Sequence, residues 1–157
     1  MNLKKPALAG LLALGVATLA VQLLSVERVN PASSSPGGDV AARPQIQAIL
    51  DRTCYDCHSN QTRWPWYSRV APVSWLIVHD VTLARKEINF SEWGGYYPRT
   101  RQRKLEWMER ALRDEKMPPW SYRLMHPGSR LTDADRAALE RWIQSALATA
   151  STDKSNK

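Results

Sequence analysis

The chain holds two cysteines, Cys54 and Cys57, and His58 directly follows the second, within "TCYDCHSN" at residues 53–60. Three chemistries use C-x-x-C: a redox dithiol, half of a zinc site, and covalent haem attachment when histidine follows at once. A structural zinc site takes four protein ligands. Cys54, Cys57 and His58 supply at most three, and the only other histidines are His79 and His126. Adjacent Cys57 and His58 would also crowd one tetrahedral ion. A thioredoxin-like dithiol belongs beside a βαβ pattern, which this chain lacks. A structural disulfide closing so short a loop would stabilise little. Haem fits the spacing better. Thiols at i and i+3 of a helical turn lie side by side and can reach two vinyl groups on one porphyrin edge, with the next imidazole beneath the iron. This reading assigns one covalent haem c per chain, with Cys54 and Cys57 as the thioether residues and His58 as the proximal ligand.

The other face of the iron has several candidates. Met117 opens "MPPW", a stiff extended segment that can hold a thioether over a porphyrin at low entropic cost. His79 and His126 are the alternatives, Met125 is a further one, and an open or water-ligated iron stays in play. Met108 lies in a helical apolar stripe and suits the core. His79 is one helical turn from Trp75 and Leu83, which suggests an inward position. Arg63, Arg69 and Tyr67 are near enough in sequence to pair with haem propionates.

Helices must position these groups. Pro44 suits the first turn of a helix through "PQIQAILDRTC", with Ile46, Ile49 and Leu50 on one face and the cysteines at its end. A Pro- and Trp-rich loop spans Arg63–Trp75. A second helix is predicted from Val73 to about Asn89, with Leu76, Val81 and Leu83 among its apolar positions. "FSEWGGYYP" reads as a turn. A third helix, Thr100–Glu115, carries Leu105, Met108 and Leu112. "KMPPWSYRLMHPGSR" is irregular, because consecutive prolines cannot continue a helix. In the last helix Thr132 is an N-cap with Asp135 three later, and Leu139, Trp142, Ile143 and Ala146 form a stripe.

Ahead of this domain, Lys4 and Lys5 precede an uncharged run from Pro6 to Val26. That is longer than the roughly 7–15-residue core of a signal peptide and nearer the ~20 residues that span a bilayer. Ala20, with Thr18 two before it, makes a poor cleavage site. The reading is an uncleaved anchor, residues 1–27, in a bacterial inner membrane through residues 6–26, with lysines inside and the C-terminal domain in the periplasm. Residues 28–42 read as a flexible Pro/Ser/Gly linker, 43–149 as the haem-binding domain and 150–157 as a polar tail.

The 157 residues are 43% hydrophobic and 24% charged, which supports a folded core. The net charge of +7 raises nucleic acid as a partner, but basic and acidic residues are interspersed, so none is expected. The densest basic run, Arg99–Lys104, opens a predicted helix and could dock an acidic redox protein or anionic lipid. Seven tryptophans, at 64, 66, 75, 93, 107, 120 and 142, can fill a small core or pack against a planar cofactor.

"MPP" in a loop, followed by the capped helix "LTDADR" containing an aromatic, resembles the C-terminal half of class I c-type cytochromes. The fuller set "CYDCHSNQTRWPWYSRVAPVSW", "INFSEW", "MPPWSYRLMHPGSRLTDADR" and Trp142 resembles the bacterial haem-binding domain family from about Arg43 to Leu147. That resemblance implies a short, membrane-anchored protein with a single c-type haem. The long stretch between His58 and Met117 departs from the small cytochromes. The expected fold is therefore all-α and cytochrome c-like, with an inserted helical segment, after an N-terminal transmembrane helix. The expected role is single-electron transfer with an unidentified redox partner, without enzyme activity. A haem-based redox or ligand sensor and a small peroxidase with an open distal site are the alternatives.

Overall fold

The structure, a computed structural model, describes residues 4–35 and 37–155. The first three residues of the expected anchor, Pro36 of the expected linker and the last two residues of the expected tail lie outside them. The fold is all-α, with seven α-helices and no β-strand among the described residues.

Helix α1, Lys4–Val21, carries leucines exposed to 60–72%. No helix among the described residues is long and apolar enough to cross a membrane, so the expected N-terminal transmembrane helix is not found. Helix α1 stops short of the predicted run, and Gln22, Leu23 and Leu24 close successive turns on the carbonyls of Leu19, Ala20 and Val21.

Helix α2, Pro44–Thr53, begins at proline as expected, where the ring's missing N–H would have had no helical partner. Ile46, Ile49, Leu50 and Thr53 are its buried side chains. Helix α3, Tyr55–His58, is a single turn, and α4 spans Val73–Glu87. A 3-10 turn over Trp66–Arg69 packs on α4. Helices α5, Pro98–Arg113, and α6, Trp120–Met125, flank the "KMPP" break. Helix α7, Asp133–Ser155, runs on into the expected polar tail. Its start is a reciprocal cap. Asp135 N–H donates to Thr132 Oγ1 at 3.1 Å, and Thr132 N–H donates to Asp135 Oδ2 at 2.9 Å.

The core forms where α5 and α2 meet α7. Leu105, Met108 and Leu112 recur at i, i+3 and i+7 on α5 and are buried, which gives Met108 the core position its spacing predicts. From α7, Leu139 and Ile143 are fully buried, with Trp142 and Ala146 packed against the cluster. Full burial of one such side chain contributes roughly 1.5–3 kcal/mol. Tyr55 stacks on Phe90 with ring centroids 5.4 Å apart, tying α3 to the turn after α4.

Two expectations need correction. On α4 the buried positions are Ser74 and Val81, so Leu76, 63% exposed, and Leu83, 45% exposed, lie on the opposite side at ~100° per residue. His79 shares that outer face and is exposed. The second difference concerns residues 28–42, which read as a tether. The structure lays much of this segment along the domain. Asn30 Nδ2 donates to Thr62 O at 2.8 Å, Ser33 Oγ to Ser91 O at 2.6 Å, and Val40 N–H to Phe90 O at 3.1 Å. Val40 is buried in the core. Small polar side chains and free backbone groups make these bonds, and no hydrophobic periodicity announces them.

Candidate functional site

The C-x-x-C-H segment sits at the kink between α2 and α3. Cys54 leaves the helical region at φ −126°, and its carbonyl accepts from the N–H groups of Cys57 at 3.1 Å and His58 at 2.9 Å. That one turn places residues i and i+3 on a common side. Both thiols are free and half-buried. Burial pushes Cys54 up to about 11 and Cys57 up to about 12, the latter helped by the Asp56 and Asp80 carboxylates. Reactive redox cysteines have lowered values, and burial here acts in the opposite direction.

His58 is buried at 7% exposure, edge-on to Phe90 and tilted against Trp107 at 5.9 Å. Its Nδ1 lies 3.0 Å from Ala84 O and 3.1 Å from Ile88 O. Carbonyls only accept, so Nδ1 carries the proton and Nε2 the lone pair. Burial lowers the imidazole's pKa despite those two carbonyls, which keeps it neutral. A neutral ring, oriented through Nδ1–H and free at Nε2, is the form that ligates a metal. Among the described residues no group of three His, Cys, Asp or Glu side chains could hold a bare metal ion. The donor set fits an iron that brings most of its own ligands, as haem iron does.

Residues after His58 are clamped to the α4–α5 connection. Arg85 Nε donates to Ser59 O at 2.8 Å, Ser91 Oγ accepts from Asn60 N–H at 3.1 Å, and Asn89 Nδ2 donates to Asn60 Oδ1 at 2.8 Å. Glu92 accepts from Asn60 Nδ2 at 3.0 Å. The "INFSEW" string thus has a mechanical role, holding the segment that carries the imidazole.

The model of the haem-binding domain family matches this chain over residues 16–145. The chain belongs to that family. No curated protein and no solved structure matches it.

In this haem-binding domain the distal candidates are placed unequally. Met117 is half-buried on the break between α5 and α6, its N–H 3.4 Å from Ala111 O. His126 is already engaged. Its Nε2 lies 3.4 Å from Tyr67 Oη, its Nδ1 3.1 Å from Tyr122 O, and its ring stacks on Tyr122 at 4.1 Å. His79 and Met125 are exposed, the latter to 51%.

The residues suggested for propionates are also largely committed. Arg63 forks onto Asp56, with Nε to Oδ1 at 2.9 Å and Nη2 to Oδ2 at 3.2 Å. Asp56 is buried between the two cysteines in sequence and needs a counter-charge, which Arg63 supplies, whereas Arg52, nearer in sequence, pairs with Asp135. Tyr122 Oη also donates to Asp56, at 2.6 Å. Burial would raise Asp56, but the Arg63 guanidinium, the Tyr122 hydroxyl and the Arg63 N–H together hold it below the usual carboxylate value. Behind this pair lies an open cleft of about 440 Å³, lined partly by Arg52, Asp56, Tyr122 and His126, and not by either cysteine or His58. The Asp56–Tyr122 bond is the feature that sequence reasoning missed, because the two residues are 66 positions apart.

The basic run at Arg99–Lys104 does open α5, but half of it is spent inside the fold. Arg101 Nη2 donates to Gly94 O at 2.8 Å. Lys104 donates to Glu87 O at the end of α4 and lies 4.7 Å over the Tyr96 ring.

Proposed function

We propose that this haem-binding domain is a membrane-tethered, monohaem c-type cytochrome that carries single electrons on the periplasmic side of a bacterial inner membrane. The observation that carries the reading is the His58 imidazole, proton on Nδ1 and lone pair on Nε2, on the same turn as both cysteines. Bound haem supplies a one-electron iron couple. Cys54 and Cys57 would hold it through thioethers, His58 Nε2 would bind one face, and Met117 the other. A thioether ligand raises the reduction potential relative to a second imidazole. His58 keeps its orientation through two carbonyls of a helix end, so it need not reorganise as the iron changes charge. Trp107 and Phe90 keep water from the ring.

Tethering is supported by α1, whose leucines are exposed all round and touch no core, as for a helix solvated by lipid. The uncharged run continues past α1 to Val26. The redox partner would be a protein of the same compartment, and Arg99 and Arg103, the exposed cations of the Arg99–Lys104 run, could meet its acidic surface.

Expression in cells equipped for c-type maturation tests the reading. Haem should stay on the chain in a denaturing gel and be lost from a Cys54→Ala, Cys57→Ala variant. The oxidised protein should be low-spin with the far-red band of Met–Fe(III), and Met117→Ala should abolish that band. A high-spin spectrum would favour a sensor or peroxidase, and absence of covalent haem would sink the proposal.

A further inference from the structure

We propose that the corner where the Trp66–Arg69 turn meets α4 rests on the lipid surface at the end of α1, so that the domain is seated on the bilayer and does not swing from a tether. The inference rests on the reading of α1 as a membrane anchor.

The chain leaving α1 is bonded to this corner at once. Gln22, the first residue past the helix, donates from Nε2 to Ala71 O at 3.1 Å and accepts from Ala71 N–H at 2.9 Å. Two residues later Leu24 O accepts from the Trp75 indole N–H at 2.9 Å, and Arg28 Nη1 donates to Ser68 O at 3.2 Å. Four bonds, made by three residues within seven, hold this stretch to the corner. The headgroup layer on each side of a bilayer's hydrocarbon core is about 5–8 Å deep. Ala71 is one hydrogen bond from the end of α1, so a membrane that holds α1 reaches the corner.

The corner's chemistry suits that layer. Trp66 is 75% exposed, Val70 42% and Leu76 63%, beside Leu23 at 84% and Leu24 at 62%. Large exposed apolar side chains on two segments that are bonded together mark an interaction surface. Arg69 is exposed, and no ion pair engages it among the described residues. Tryptophan is enriched at headgroup depth on both sides of a bilayer, and the Arg69 guanidinium there can pair with lipid phosphates. Lipid is the occupant to which α1 itself leads. Seating would hold His58 at a set distance from the bilayer, since α4 runs from the corner at Val73 to Ala84, roughly 16 Å along its axis.

Photo-crosslinking of the full, haem-loaded chain in vesicles of phosphatidylethanolamine and phosphatidylglycerol tests this. p-Benzoylphenylalanine is placed in turn at Leu14 on α1, at Trp66, at Val70, and at Glu140, exposed on α7. Lipid adducts are expected at Leu14, Trp66 and Val70 and not at Glu140, with the haem spectrum unchanged in all four. Adducts at Leu14 without any at Trp66 or Val70 would overturn the seating and leave the anchor standing. Absence of adducts at Leu14 as well would remove the anchor, and the proposal with it. Equal yields at Glu140 would show non-specific adsorption and also overturn it.

Discussion

His58 Nδ1 stands 3.0 Å from the carbonyl oxygen of Ala84, a residue 26 positions further along the chain. The same oxygen accepts the N–H of Ile88 at 2.9 Å, so one carbonyl in the last turn of α4 both closes that helix and orients the imidazole. A carbonyl oxygen has two lone pairs, so Ala84 O can serve both, and Ile88 O just past the helix adds a second acceptor at 3.1 Å. In His58→Ala the neutral nitrogen donor is lost and the low-spin haem spectrum should disappear. Added imidazole should restore it, because the vacated space matches that ring. Optical titration checks this, and an unchanged spectrum before imidazole would exclude His58 as a ligand.

Tyr122→Phe removes the 2.6 Å bond to Asp56 and keeps the ring that stacks on His126. A hydrogen bond to a charged group is worth about 1.5–3 kcal/mol. With Arg63 still paired to Asp56, the lower end of that range is expected. Denaturant unfolding should show a lower midpoint at unchanged slope, and an unchanged midpoint would mean that water replaces the hydroxyl without cost.

Leu139 is fully buried in the contact of α7 with α5 and α2, whereas Leu124 on α6 is 66% exposed. Leu139→Ala should therefore cost about 2–5 kcal/mol through lost transfer energy and a residual cavity. Leu124→Ala should fall within about 0.5 kcal/mol of the parent. Comparable losses in paired melts would contradict the core placement.

Asp135 accepts from the Thr132 N–H and hydroxyl and pairs with Arg52 at 2.9 Å. Burial works to raise its pKa, but those donors win and hold it below the ordinary carboxylate value of 3.8. A carboxylate with a depressed folded pKa contributes stability that is present above the unfolded value and lost as pH falls through the folded one. Melting temperature should thus drop as pH goes below about 4. Asp135→Asn should be less stable at neutral pH and show a shallower acid slope. An identical slope would place the acid sensitivity elsewhere.

Much of the helical frame was legible because its evidence is periodic. Leu105, Met108 and Leu112 on α5, and Leu139 and Ile143 on α7, repeat at helical spacing and are buried as that spacing demands. On α4 the inward reading of His79 failed, because the apolar residues do not share one face. Val81 and Leu83 are both apolar, yet they lie on different faces, and only packing on α3 and the Trp66–Arg69 turn selects between them. Residues 28–42 were opaque for another reason, since serines and asparagines that bond to distant backbone look like any polar linker.

The sequence by itself determined the local chemistry: two thiols one helical turn apart with an imidazole next to them, a relation that spans five residues and needs no distant partner. Tertiary structure decided what each group is free to do. The carbonyls of Ala84 and Ile88 set the tautomer of His58, Asp56 takes Arg63 and Tyr122, and Tyr67 and Tyr122 occupy both nitrogens of His126. Protonation, burial and hydrogen-bond occupancy depend on atoms brought close by folding, and no spacing along the chain records which atoms those are.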